Sequence, residues 1–402
     1  MVSYRTFEQH LDPDEGPKRI LSLDGGGLRG MMSVQILKKI ETLLQDRFGD
    51  RDMRLCDYFD LIAGTSTGAI IAAGLSKGMT VTEIEGHYRE LGDKVFKRSF
   101  WRRGVLLEKY DADAVAKALG SVLGTEMMKD IAFRTGLLVV TKRLDSGSTW
   151  ALTNNPNARY FKANPMRPQT IPNGEYPLWQ VVRASTAAPT FFAGEEICIH
   201  SDVSDKRRNT LGLFIDGGVS PHNNPSLQAL MVATMDGYKF GWKAGADDLL
   251  LVSVGTGKAD ASVDLSSPVT DAATAQAVLA LKNLMEDCGD LVETVMQWIA
   301  KPTPTARAID REMGTAGPML GGGSGMLTYH RYNALFTADW FNEAGLDVGE
   351  AVDAAYLADM QEMDRPQNLD RLARLGAAVA DKQVDAAHFP EAFDAGVRVD
   401  RP

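Results

Sequence analysis

Three features of the chain predict an α/β fold with a mostly parallel central sheet. First, a short apolar run, Arg19-Ile-Leu-Ser-Leu-Asp24, leads directly into the glycine loop Gly25 to Gly30. Apolar residues then recur at helical spacing at Met32, Ile36, Leu37, Ile40, Leu43 and Leu44. Second, the same order returns: a strand over Tyr58 to Ala63, the turn Gly64-Thr-Ser-Thr-Gly68, and a small-residue helix from Ala69 to Leu75 that stops near Gly78. Two strand-turn-helix units in succession favour parallel pairing, because parallel neighbours need a crossover connection. Third, Leu137 to Thr141, Thr149 to Thr153, Leu211 to Ile215 and Leu249 to Val254 are runs rich in buried-strand residues, bounded by glycine or polar residues.

The remaining elements follow in chain order. A polar lead, Glu8 to Lys18 with Pro13 and Pro17, precedes the first strand. Leu178 to Ala187 reads as a helix ended by Pro189, and Ala272 to Ile299 carries a long helical pattern. After Pro302 and Pro304 comes a glycine-rich loop from Gly314 to Gly325. From Asp347 the chain reads as alanine-rich acidic helices, with Asn368 as the expected cap of Leu369 to Val379. The division expected is a polar lead over 1–18, an α/β domain over 19–335, and a helical extension over 336–402 packed on that domain.

Composition narrows the function. With 402 residues, 44% hydrophobic and 24% charged, the chain has a large core available and is neither a disordered tail, a collagen-like fibre nor a disulfide-stapled miniprotein. Lys+Arg 43 against Asp+Glu 53 leaves a net charge of −10, a field that repels nucleic acid, so no nucleic-acid partner is expected. Cys56, Cys198 and Cys288 are widely spaced and contain no Cys-x-x-Cys pair, which fits a reducing compartment; the expected location is the cytoplasm. The amino terminus lacks the basic start and apolar run of a secretory signal. No apolar stretch reaches the ~18 residues of a spanning helix, so any membrane contact is expected to be peripheral. With no His-Glu-x-x-His pattern, clustered cysteines or EF-hand loop, neither a metal nor a cofactor is expected.

The chemistry concentrates in the turns. Gly64-x-Ser66-x-Gly68 between a strand and a helix has the context of a nucleophile elbow, in which a serine sits on a tight turn with its hydroxyl exposed and the helix start aimed at developing charge. A Ser/Thr helix cap is the plain alternative. Gly25-x-Gly27-x-x-Gly30 also matches the dinucleotide fingerprint, but Asp46 and Asp50 fall in the helix tail and loop, not at the close of a second strand. Gly255-Thr-Gly-Lys258 lacks the first glycine of a phosphate loop and has Ala259 where a magnesium ligand belongs, so it reads as a strand-end turn. Three consecutive glycines beside a serine allow backbone N–H groups to approach an ester oxygen, which makes Gly25, Gly26 and Gly27 an oxyanion-hole candidate. Arg29 adds a fixed charge there or braces the loop. Asp216, ending a strand before Gly217 and Gly218, is a candidate base, with a simple Asp-Gly turn as its alternative.

In that order, Asp24-Gly-Gly-Gly-Leu-Arg-Gly30, Gly64-Thr-Ser-Thr-Gly68 and Asp216-Gly-Gly218 resemble the three signatures of the patatin-like phospholipase family, its bacterial members more than the plant storage proteins. Arg183-Ala-Ser-Thr-Ala-Ala-Pro189 resembles the family segment upstream of the aspartate, so the resemblance spans Arg19 to Thr256. It implies a three-layer α/β/α fold and a Ser-Asp dyad acting on phospholipids or other acyl-ester lipids. Ser66 would attack the ester and Asp216 would take its proton, with no histidine required. Asp24, Gly30, Gly64, Gly68, Gly217 and Gly218 complete the motifs. Such a dyad is demanding, since a free Asp at ~3.9 is a feeble base at neutral pH. A triad through His222, His330 or His388 is the enzymatic alternative, and a catalytically silent lipid-binding protein is the alternative of another class. Some bacterial members act as membrane-degrading effectors in antiphage defence, switched on by cyclic nucleotides; no motif in this sequence marks that switch.

One stretch stands apart in an acidic protein: Lys94 to Arg103 interleaves Phe96, Phe100 and Trp101 with Lys97, Arg98, Arg102 and Arg103. It suits contact with an anionic lipid surface, where each cation adds ~1 kcal/mol, or else a packed helix end with a solvated basic face.

Overall fold

The computed structural model describes residues 2–95, 112–189, 191–202, 206–258, 273–308, 314 and 324–399. Among these, the strands are β1 (Val2–Ser3), β2 (Lys18–Leu23), β3 (Leu61–Thr65), β4 (Gly136–Arg143), β5 (Thr149–Thr153), β6 (Glu195–His200), β7 (Thr210–Asp216), β8 (Leu249–Val254), β9 (Thr328–Tyr332) and β10 (Arg398–Val399). Five of them, in the spatial order β4, β3, β2, β8, β9, run parallel. β2 lies at the centre, and all six of its residues are buried.

The antiparallel flank matters more for function. Val140 of β4 pairs with Thr65 of β3 on one edge and with Ala151 of β5 on the other. One residue on, Thr141 pairs with Asp216 of β7 and with Trp150 of β5. β3 and β7 therefore share the same edge of β4 and meet end to end, Thr65 beside Asp216. β6 then closes the flank antiparallel to β7.

Alternation along the strands sends side chains into two cores. On one face, Leu21, Leu23, Ile62, Val139 and Val252 pack with residues of the helices Gly30–Phe48, Thr67–Ser76, Leu178–Ser185 and Leu369–Gln383. On the other, Ile20, Leu61, Leu138 and Leu251 pack with Ala229 and Val232 of the helix Ser226–Thr234 and with Val292 and Met296 of the helix Ala273–Ile299. The architecture is three-layered, α/β/α. No helix among the described residues is long and apolar enough to cross a membrane.

The carboxy-terminal helix Leu369–Gln383 lies so close to Gly30–Phe48 that a Cβ on Gly376 would come within 2.6 Å of the Met32 carbonyl oxygen. Two sequence expectations shift here. Asn368 occupies the N-cap position of that helix as expected, but its side chain makes no capping bond: the amide donates to the Asp359 carbonyl at 2.7 Å instead, and the preceding Pro366–Asn368 is already a 3-10 turn. The second strand starts at Leu61, not Tyr58, because Leu55–Tyr58 forms a helical turn in which the Arg54 N–H donates to Asp57.

Asp60, just before β3, is a buried hub. Its carboxylate accepts from Arg5 at 2.8 Å, His10 at 2.8 Å, and Arg19 through both Nε at 2.9 Å and the backbone N–H at 2.8 Å. Burial opposes the charge, but Arg19 and His10 overcome it and hold the carboxyl well below its usual range. Arg19 also donates to the Phe393 carbonyl at 3.0 Å, which ties the end of the chain to the sheet. Asp60→Asn strands buried cations and is expected to lower unfolding free energy by about 3–5 kcal/mol, read by urea denaturation. A loss below about 1 kcal/mol would show that the hub is dispensable.

Candidate active site

Ser66 follows β3 and precedes the helix Thr67–Ser76, with φ 56° and ψ −127°. A non-glycine residue with positive φ is strained, and such strain collects at functional turns. The turn is too tight for side chains at its neighbours: a Cβ on Gly68 would collide with the carbonyl oxygens of Leu23 and Asp24, and one on Gly64 with the Gly68 carbonyl. The elbow geometry read from the sequence is present. The expectation of an exposed serine is not, since Ser66 retains only 9% of its accessible surface. Gly25 and Asn223 crowd it, so that a Cβ on Gly25 would lie 2.9 Å from the Ser66 Cβ and 2.5 Å from the Asn223 amide oxygen.

The Ser66 hydroxyl donates to Asp216 Oδ2 at 2.6 Å, and the other oxygen, Oδ1, accepts from the Gly218 N–H at 2.7 Å. Asp216 has no ion-pair partner among the described residues. Burial therefore dominates its chemistry: offset in part by the hydrogen bonds from Ser66 and Gly218 and by the field of Arg183, it pushes the carboxyl up to about 6. Gly217 fits against the Val140 carbonyl, where a side chain would collide.

The glycine loop lies alongside. The Gly25 N–H donates to the Asn223 carbonyl at 3.2 Å, which removes it as a free donor. The Leu28 N–H is taken by Met363 at 2.7 Å and the Arg29 N–H by Gly26 at 3.2 Å. The N–H groups of Gly26 and Gly27 have no acceptor among the described residues. The loop is held from outside by Thr256, whose hydroxyl donates to the Gly25 carbonyl at 2.8 Å, and by Tyr88, whose hydroxyl donates to the Gly27 carbonyl and leaves room only for a glycine at position 30. Asp24 is clamped by both terminal nitrogens of Arg331, at 2.8 and 2.6 Å. No hydrogen bond from Arg29 to a carboxylate is present among the described residues: its Nε and Nη1 are unpartnered there, and the guanidinium lies 5.8 Å over the Phe336 ring.

None of the three histidines considered for a triad hydrogen-bonds to Ser66 or Asp216 among the described residues. His330 and His388 stack on each other at 4.6 Å, with His330 bonded to Thr305 and His388 to Tyr332. His222 presents its carbonyl to the Thr65 hydroxyl at 2.7 Å, while its Nδ1 is buried and has no partner among the described residues. The basic aromatic residues Phe96, Lys97, Arg98, Phe100, Trp101, Arg102 and Arg103 lie outside the described residues. Arg331, which donates to Asp24, lies in no motif of the sequence, and Ser185, which accepts the Ser66 N–H, falls within the Arg183 to Pro189 segment noted above, where nothing in the sequence marks its role.

The family model described as patatin-like phospholipase matches residues 21–230, just over half of the chain. The chain belongs to that family. It is 32% identical over 249 residues to a cGAMP-activated phospholipase of Vibrio cholerae, covering 59% of this chain and 64% of the relative. To a cGAMP-activated phospholipase of Escherichia coli it is 29% identical over 258 residues, covering 63% and 66%. An intracellular phospholipase A2 of Caenorhabditis elegans is 30% identical over 271 residues, covering 66% of this chain and 22% of that protein. The chain thus spans a little under two thirds of the bacterial relatives it matches.

The raised Asp216 carboxyl has a signed consequence for stability. Its folded value, about 6, lies above the ordinary 3.8, so the folded state takes up the proton first as pH falls. The stabilisation is complete below the ordinary value and is lost as pH rises through the folded one. At about 1.4 kcal/mol per pH unit it amounts to about 3 kcal/mol. The stability of the wild type relative to Asp216→Asn should therefore grow by about 2 kcal/mol between pH 7 and pH 4, most of that total, measured by urea unfolding of both proteins. A difference that shrinks on acidification would contradict the assignment.

Proposed function

We propose that the chain is a lipid acyl hydrolase of the phospholipase A type, working through Ser66 and Asp216 and an acyl-enzyme intermediate. The observation that carries this reading is the 2.6 Å hydrogen bond from the Ser66 hydroxyl to a buried carboxylate, in a member of a phospholipase family. A carboxyl raised to about 6 is still ionised at neutral pH, yet it is a far better proton acceptor than an exposed aspartate. As Ser66 Oγ attacks the ester carbonyl, its proton passes to Asp216. The carbonyl oxygen becomes an oxyanion facing the N–H groups of Gly26 and Gly27, which have no acceptor among the described residues, each donor contributing about 3 kcal/mol to the barrier reduction. Collapse expels the lipid alcohol, which takes the proton from Asp216. Water then adds to acyl-Ser66 with Asp216 again accepting a proton, and collapse returns it to Ser66 as the fatty acid leaves. Arg29 adds a positive field beside the same loop.

The enzyme reaches its substrate from the cytoplasm by peripheral contact, with the basic aromatic segment 96–103 as the element in view. Because two relatives are named for activation by cGAMP, lipid assays are run with and without that nucleotide.

Ser66→Ala is expected to abolish hydrolysis of phospholipid vesicles and covalent labelling by a fluorophosphonate. His222→Ala, His330→Ala and His388→Ala should each retain most activity, and the wild-type rate should rise with pH through about 6. Retention of more than about a hundredth of the activity by Ser66→Ala would end the assignment, and a histidine variant as impaired as Asp216→Asn would replace the dyad with a triad.

Replacing Lys97, Arg98, Arg102 and Arg103 with glutamine should weaken sedimentation with anionic vesicles while sparing a small soluble ester, with the wild-type advantage fading as salt is raised. Equal vesicle binding at low salt would return the segment to a structural role.

A further inference from the structure

The helix Leu178–Ser185 ends in a residue whose side chain does not serve its own helix. Hydroxyls near helix ends ordinarily bond back to a carbonyl one turn earlier, and the adjacent Thr186 does so, donating to Arg183 at 3.1 Å. Ser185 instead reaches across to the sheet. Its hydroxyl donates to the Val140 carbonyl of β4 at 2.6 Å and accepts the Ser66 N–H at 2.9 Å. Two residues on, the Ala187 carbonyl accepts the Asp216 N–H at 3.0 Å. One short turn therefore grips the backbone of both members of the candidate dyad.

We propose that Ser185 is a positioning residue that holds the Ser66 elbow against β4 and sets the Ser66–Asp216 contact, with Ala187 fixing the other side. The proposal rests on the hydrolase reading above. Ser66 occupies a backbone region that is sparsely populated for a serine and costs ~1–3 kcal/mol, so it persists only where its surroundings over-determine it. Its N–H points to a partner with no exposed surface, since Ser185 is fully buried. The bond also has a chemical consequence: it commits the Ser66 N–H to structure, so an oxyanion draws on other donors, among them the Gly26 and Gly27 N–H groups, which have no acceptor among the described residues. Without the Ser185 hydroxyl, the Ser66 N–H and the Val140 carbonyl both lose a buried partner. The strained turn can then relax, and the hydroxyl moves off Asp216.

The test is Ser185→Ala in the full chain, assayed with a small soluble ester and with a fluorophosphonate. Expected are a fall in kcat of tenfold or more with KM within twofold of wild type, and a parallel fall in the rate of covalent labelling. The acid limb of the rate profile should also move to higher pH, because the Ser66 hydrogen bond that restrains the Asp216 carboxyl is weakened. Should the alanine variant fail to fold, Ser185→Cys keeps nearly the same volume but hydrogen-bonds weakly, and the same changes are expected of it. A wild-type kcat in either folded variant overturns the proposal. So does a loss that merely follows the folded fraction by circular dichroism and leaves the acid limb in place. A wild type that neither turns over the ester nor labels removes the hydrolase reading itself, and with it the role; an active wild type with an unaffected variant removes the role of Ser185 alone.

Discussion

The site depends on the way two strands share one edge of a third. β4 outruns β3, and the length left over is paired by β7, which arrives antiparallel and ends where β3 ends. Register alone then sets Ser66, one residue past Thr65, beside Asp216, the partner of Thr141. A hydrogen bond of 2.6 Å between residues 150 apart in sequence is the result. A shift of one residue in the β4–β7 pairing would turn the carboxylate to the opposite face of the sheet, and one in the β3–β4 pairing would carry the Ser66 turn away from it.

Three buried aspartates show how differently the fold treats the same side chain. Asp60 is surrounded by Arg5, His10 and Arg19 and stays ionised as part of the scaffold. Asp24 is paired bidentately with Arg331 and anchors the start of the glycine loop. Among the described residues, Asp216 accepts only from the Ser66 hydroxyl and the Gly218 N–H, both uncharged. Burial without a paired cation is costly, and here the cost raises the carboxyl into the range where it can trade protons at neutral pH. Asp60 and Asp24 are each hydrogen-bonded to an arginine, although burial still lifts Asp24 against the pull of Arg331, whereas the candidate base has only neutral hydrogen bonds and the field of Arg183 to offset its burial.

Close approach of backbones is the second recurring device. The glycine loop crosses near Asn223 and Thr256 and is held by Tyr88 and Met363, elements drawn from four separate parts of the chain. The rigidity of the loop thus comes from its surroundings. The same crowding leaves Ser66 largely buried, while the Gly26 and Gly27 N–H groups have no acceptor among the described residues.

Local chemistry was legible in the sequence because turns are built from contiguous residues: the strand-glycine-helix order at Gly25 to Gly30, the small residues flanking Ser66, and the Asp216-Gly-Gly218 strand end each declare themselves within a few positions. Buried apolar strands were equally plain. β9 was not, since Thr328-Tyr-His-Arg-Tyr332 is polar in text and wholly buried in the fold, its Arg331 neutralised by an aspartate 307 residues away. β6 escaped for the related reason that its acidic start, Glu195 and Glu196, reads as loop although the strand pairs along β7. The sequence by itself determined which residues form the turns and which runs enter the core. Only the tertiary structure decided that β7 would meet β3 head to head, that Ser185 would bridge Ser66 to β4, and that the Gly25 N–H would be spent on Asn223. Those outcomes are long-range hydrogen bonds between backbone groups and small hydroxyls, which leave no periodicity or composition for a linear reading to detect.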